Sequence, residues 1–141
     1  MNNKGFTLIE IIIVVTIVGI ISGIAIPQYQ NHIARSQIAI AIAELRGAQP
    51  QYELIIHGGS PSSDYTPANI FFSSSSSHIC NYIVNPPDIY NAADQALVCH
   101  LSQVSPALKG QFVYFSRDKY GKWKCKTSLG VDDKYKPAGC R

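Results

Sequence analysis

From Phe6 to Ile26 the chain is apolar at almost every position, and the one charge inside that run is the carboxylate of Glu10. At 1.5 Å per residue a helix over this stretch is roughly 31 Å long, enough to cross the hydrocarbon core of a bilayer. After Pro27 the pattern changes period. Ile38, Ala41, Ile42, Leu45, Tyr52 and Ile55/Ile56 recur at helical spacing, with Arg35, Gln37, Glu44, Arg46 and Glu53 among the polar positions, which predicts an amphipathic helix over 28–58. His57-Gly58-Gly59 supplies its stop, glycine being favoured just past a helix C-terminus. Ser60 to Ser77, rich in Ser and Pro and ending in five serines from Ser73, reads as a flexible connecting loop, with O-glycosylation the lesser alternative. Four β-like runs follow, His78–Val84, Gln95–Val104, Gln111–Arg117 and Lys122–Thr127, close enough together for an antiparallel sheet. The apolar stripe of the amphipathic helix needs such a sheet to cover.

A carboxylate one turn into a membrane span costs about 3 kcal/mol on insertion scales, so Glu10 requires a partner. If the chain is cut after Gly5, a new α-amine appears at Phe6, four residues away and at the same depth. The amine of a neighbouring copy could then neutralise Glu10. Gly19 and Gly23 have the spacing that lets apolar helices approach closely. Pro27 removes a helical hydrogen bond, which makes Gly19 to Pro27 the expected place for a bend or partial melting; Gly47 and Pro50 predict another bend.

With 46% hydrophobic and 15% charged residues in a chain of 141, one domain plus an anchor is expected rather than a disordered tail. The net charge of +3 is unevenly placed: nine of the twelve Lys and Arg lie between Lys109 and Arg141, against three Asp. Four cysteines, all after residue 79, fit two disulfides in an oxidising compartment. The short N-terminal leader has neither the long apolar core nor the Ala-x-Ala site of an ordinary secretory signal, and Lys4 favours an inside N-terminus with the remainder exported.

Lys4-Gly5-Phe6-Thr7-Leu8-Ile9-Glu10 resembles the prepilin cleavage site of type IV pilins. Ala25-Ile26-Pro27-Gln28-Tyr29 is similar to that family's helix kink, and Trp123-Lys124-Cys125 with Lys136-Pro137-Ala138-Gly139-Cys140 is similar to its C-terminal disulfide loop. The resemblance implies an α+β pilin fold with a cleaved leader over 1–5, a transmembrane and filament-core helix over 6–27, its amphipathic half over 28–58, and a globular β domain over 59–141 whose terminal loop spans 125–140. It also implies a homo-oligomeric helical filament, a prepilin peptidase that cleaves after Gly5 and methylates the Phe6 amine, and a separate assembly ATPase and inner-membrane platform. The precursor is then expected in the inner membrane and the product in an extracellular pilus serving adhesion, twitching motility or DNA uptake.

Four cysteines allow three pairings. A hairpin across Asn85 to Asp94 that sets Cys80 opposite Cys99 also sets Tyr82 opposite Leu97, a sensible cross-strand pair. Cys125 and Cys140 then remain, as the family resemblance also implies. His78, Cys80, Cys99 and His100 invite a zinc reading, but alternation puts His100 on the other side of the ribbon from the cysteines. Asp132-Asp133 reads as a solvated turn. No catalytic site, metal site or cofactor is expected. Lys122, Lys124 and Lys126 alternate with Trp123 and Cys125, so the three amines share the solvent face of a strand. Edge protection is the ordinary use of such lysines. Reinforced by Arg117, Lys119, Lys134, Lys136 and Arg141, they could also bind DNA phosphates. Two alternatives to a major subunit share the N-terminal motif: a type II secretion pseudopilin, which generally lacks the terminal disulfide loop, and a minor pilin acting as a DNA receptor for natural transformation.

Overall fold

A computed structural model describes residues 5–71 and 75–140. Lys4 and the residues before it, Ser73 and Ser74 of the serine run, and Arg141 lie outside the described residues. The chain opens with one long helix, α1, Leu8–His57, and divides after His32 into two units, so that α1 contributes to both.

In the first unit the helix buries none of its apolar side chains. Its most hydrophobic window has a mean hydropathy of 2.7 and is 0% buried. Gly19, Gly23 and Pro27 all lie in helical backbone, as do Gly47 and Pro50 further on. A proline removes one hydrogen bond, and the turns on either side hold, so the bends expected at these positions do not take the form of a break. The helix stops at the predicted place: Gly59 adopts φ +65°, and the amides of Gly59 and Ser60 donate back to the carbonyls of Ile56 (3.1 Å) and Ile55 (3.4 Å), satisfying acceptors a helix end leaves open.

The second unit packs α1 from Ile33 onward against a four-stranded antiparallel sheet in the order β1-β2-β3-β4. The strands are β1 Cys80–Val84, β2 Ala93–Leu101, β3 Phe112–Arg117 and β4 Trp123–Thr127. Ala34, Ile38, Ala41, Ile42, Leu45, Ala48, Tyr52 and Ile55 form the buried face of the helix, the stripe that the spacing predicts. They meet Leu97, Cys99, Val113 and Phe115 of the sheet in one core. Each fully buried Leu, Ile or Phe in it contributes about 1.5–3 kcal/mol.

Three expectations require correction. The stretch after α1 is not simply a loop: it contains a 3-10 turn, Ser62–Asp64, and a short helix α2, Pro67–Phe71, because Ile70 has a place in the core, where it is 1% exposed. The register of β1 and β2 is shifted by two residues, with Cys80 opposite Leu101 and Tyr82 opposite Cys99. The shift is even, so every side chain keeps its face, and Ser102 gains a backbone bond to Ile79 at 2.8 Å. Cys80 and Cys99 still form a disulfide, on a diagonal whose Cα atoms are 5.0 Å apart. Arg117 does not belong to the exposed basic face. It follows Val113 and Phe115 on the core side of β3 and is 7% exposed.

Candidate assembly site

Glu10 sits in the first turn of α1, and the chain has given it a local role. The Thr7 amide and the Thr7 hydroxyl both donate to Glu10 Oε2 at 2.8 Å. The Glu10 amide donates in return to Thr7 Oγ1 at 3.4 Å. This reciprocal arrangement is a capping box, in which two otherwise unsatisfied amides of a helix start find acceptors. The sequence carries its signature, Thr7-x-x-Glu10, although a reading directed at the charge alone passes over it. Phe6 lies just before the cap and is 84% exposed. Both cap bonds to the carboxylate fall on Oε2, so they do not occupy Oε1. Among the described residues of this span, Glu10 is the single charge within a surface of exposed isoleucine and valine.

The terminal loop of the second unit is closed by the Cys125–Cys140 disulfide. Val131 and Tyr135 anchor it from inside, at 2% and 7% exposure. Arg35 of α1 reaches across the sequence and donates through Nε and Nη2 to the Lys134 carbonyl at 3.0 and 2.8 Å. Asp132 caps the 3-10 turn Asp133–Tyr135 by accepting from the Lys134 amide at 3.2 Å, and that backbone bond is the main reason its carboxyl is held below the usual range. Lys134 and Lys136 make ion pairs with Asp132 and Asp133 at 3.3 and 2.8 Å. They are therefore partly neutralised, whereas Lys122, Lys124 and Lys126 are exposed on the outward side of the β3–β4 hairpin. Cys80 and Cys99, being joined to each other, leave His78 and His100 without thiolate co-ligands. Both histidines are exposed.

Sequence reasoning missed the polar cluster centred on Glu53. Arg117 donates through Nε and Nη2 to the two oxygens of Glu53 at 2.7 and 2.9 Å, and the Trp123 indole N–H donates to Oε1 at 2.7 Å. Arg117 also donates to the carbonyls of Asn91 and Asp118. The bidentate guanidinium holds the Glu53 carboxyl below its usual range. Tyr52, packed edge-on to Tyr65 and Trp123, donates its hydroxyl to the Asn85 carbonyl at 2.7 Å. The available signal was the alternation of Val113, Phe115 and Arg117, which places an arginine on the core face and so demands an acid from the helix.

An apolar helical stretch that is left uncovered, in a chain that also carries a sheet-covered domain with a disulfide-bounded end, defines a protein whose first unit needs lipid or other protein to cover it. Comparison with known proteins supports that class. A sequence model of the family "Pilin (bacterial filament)" matches residues 34–141, and one of the "Prokaryotic N-terminal methylation motif" matches residues 1–26. The type IV major fimbrial protein FimA of Dichelobacter nodosus is 34% identical, with 98% of this chain and 96% of FimA covered. A fimbrial protein of Pseudomonas aeruginosa is 35% identical over 97% of this chain and 96% of its own length. The fimbrial protein EcpB of Eikenella corrodens is 32% identical over 99% and 97%. A solved Cs1 pilin chimera covers 79% of this chain and 99% of its own at a TM-score of 0.58 and 21% identity, which shows the shared fold. The chain belongs to the pilin family and is a type IV pilin, a structural subunit of fimbriae.

Proposed function

We propose that this chain is a major pilin that polymerises through α1 into an extracellular filament for adhesion, twitching motility or DNA uptake. The observation that carries the proposal is the wholly exposed apolar surface of the first unit with Glu10 as its one charge. Surface of that kind demands either lipid or copies of itself. In the precursor the bilayer covers it. A prepilin peptidase removes the leader after Gly5 and methylates the Phe6 amine, and an inner-membrane platform with its ATPase moves the subunit from lipid into the fibre. There the α-amine of a neighbouring copy lies against Glu10, compensating a carboxylate that neither lipid nor apolar helices tolerate alone. The stretch from Gly19 to Pro27, with fewer side-chain constraints and one missing hydrogen bond, loosens on that transfer.

Electron microscopy of cells carrying single substitutions tests this reading. Gly5→Leu is expected to leave an unprocessed precursor in the membrane. Glu10→Val is expected to give a subunit that inserts and is processed, with few or no surface fibres. Normal piliation of the Glu10→Val strain would overturn the role assigned to that carboxylate.

A further inference from the structure

On the second unit, between the β1–β2 turn and the outward face of β3 and β4, lies a groove of about 800 Å³. It is outside every feature that the assembly reading uses. One wall is the turn Asn85–Ala92, and it is firmly held: Tyr52 donates to the Asn85 carbonyl at 2.7 Å, the Asn85 side-chain Nδ2 donates to the Gln95 carbonyl at 2.6 Å, and Arg117 donates to the Asn91 carbonyl. Pro86 and Pro87 stiffen the same wall, and Asp88 Oδ1 accepts from the amides of Tyr90 and Ala92 at 2.9 and 2.8 Å. The opposite wall carries Lys119, Lys124 and Lys126, which make no ion pair with any described residue. A site whose walls are fixed before a ligand arrives avoids the ordering cost of binding.

We propose that this groove binds an acidic oligosaccharide, a hydroxyl-rich chain carrying carboxylates. Three features of the lining select that chemistry. Lys124 and Lys126 offer charge-assisted donors to a carboxylate. Tyr90, 67% exposed on the groove's rim, offers an aromatic face for the apolar side of a sugar ring. Asp88, Asp94 and Asp118 line the same groove and offer acceptors to sugar hydroxyls; Asp118 uses Oδ1 for the amides of Tyr120 and Lys122, leaving Oδ2 outside those bonds. A nucleic acid strand fits this lining poorly. Its phosphodiester backbone presents acceptors and negative charge but no hydroxyl donors to meet the three carboxylates, whereas an acidic saccharide presents ring hydroxyls to the acids and carboxylates to the lysines.

The test is calorimetric and NMR titration of the full chain in detergent micelles with three probes: tetragalacturonate, neutral maltotetraose and a short oligothymidylate. Tetragalacturonate is expected to bind, with maltotetraose about tenfold weaker or worse, and with the shifted resonances lying in 86–94 and 116–126. Lys124→Gln combined with Lys126→Gln is expected to weaken binding by about tenfold or more, and Tyr90→Ala to weaken it for acidic and neutral sugars alike. These side chains are exposed, and an unchanged melting temperature identifies variants that remain folded. Equal binding of the neutral sugar, no binding of tetragalacturonate at millimolar concentration, or tighter binding of the oligothymidylate at the same residues would each overturn the proposal.

Discussion

The two units of this chain solve opposite problems with the same helix. Up to His32, α1 is apolar on all sides and covers nothing of its own. From Ile33 onward it is apolar on one stripe, and that stripe is filled by a sheet. A helix hydrophobic all round belongs in a membrane or a bundle of its kind, whereas an amphipathic one is completed within its own domain. On the proposed reading one unit serves assembly and the other folding, and damage to each should be read by different measurements.

The sharpest separation is expected from Glu10→Val. Fibre formation should fall to a small fraction of wild type while the melting temperature of the second unit stays unchanged, because none of its core contacts involve Glu10. Equal loss of fibres and of thermal stability would erase the distinction. Next in size is Arg117→Ala, which removes the guanidinium partner of Glu53; because the Glu53 side chain is only half-buried, the cost is about 3 kcal/mol, the low end for breaking a buried pair, seen as an earlier denaturant midpoint. Serine at both Cys125 and Cys140 should cost about 2–4 kcal/mol, mainly by freeing the unfolded chain, and equilibrium unfolding measures it.

A smaller effect concerns acid. Because the folded-state pKa of Glu53 lies below its ordinary value, its contribution is fully present above the ordinary carboxylate range and is lost as pH falls through the folded pKa. Stability of the wild type should therefore drop more steeply below about pH 4 than that of Glu53→Gln. Parallel acid profiles would show that the pair with Arg117 does not carry the linkage.

Much of this architecture is visible in the order of residues, and the failures have physical causes. The span, the amphipathic stripe and the Gly59 stop follow from periodicity and backbone chemistry, which are local. All four strands fall within three residues of where alternation puts them. Pairing register is non-local, and Cys80 illustrates the consequence: alternation fixes its face, but a two-residue slip is invisible to alternation, so the disulfide survives while the opposed partner changes from Cys99 to Leu101. Tyr65 and Ile70 were hidden in a segment whose serines and prolines suggested a loop, because two isolated buried side chains leave no period. Arg117 was grouped by its charge with surface lysines when its position in β3 pointed inward. The N-terminal half of α1 was legible as an anomaly, a carboxylate in an apolar run. Its capping box with Thr7 was written in the same four residues.

The central claim is that Glu10 is tolerated in the fibre because an adjoining copy supplies the compensating charge. A filament reconstruction at side-chain resolution tests it directly. The account predicts a mature chain beginning at Phe6, with its amine within about 4 Å of the Glu10 carboxylate of a neighbouring copy. A fibre in which Glu10 contacts only Thr7 of its own chain, or in which Met1 is still attached, would contradict it.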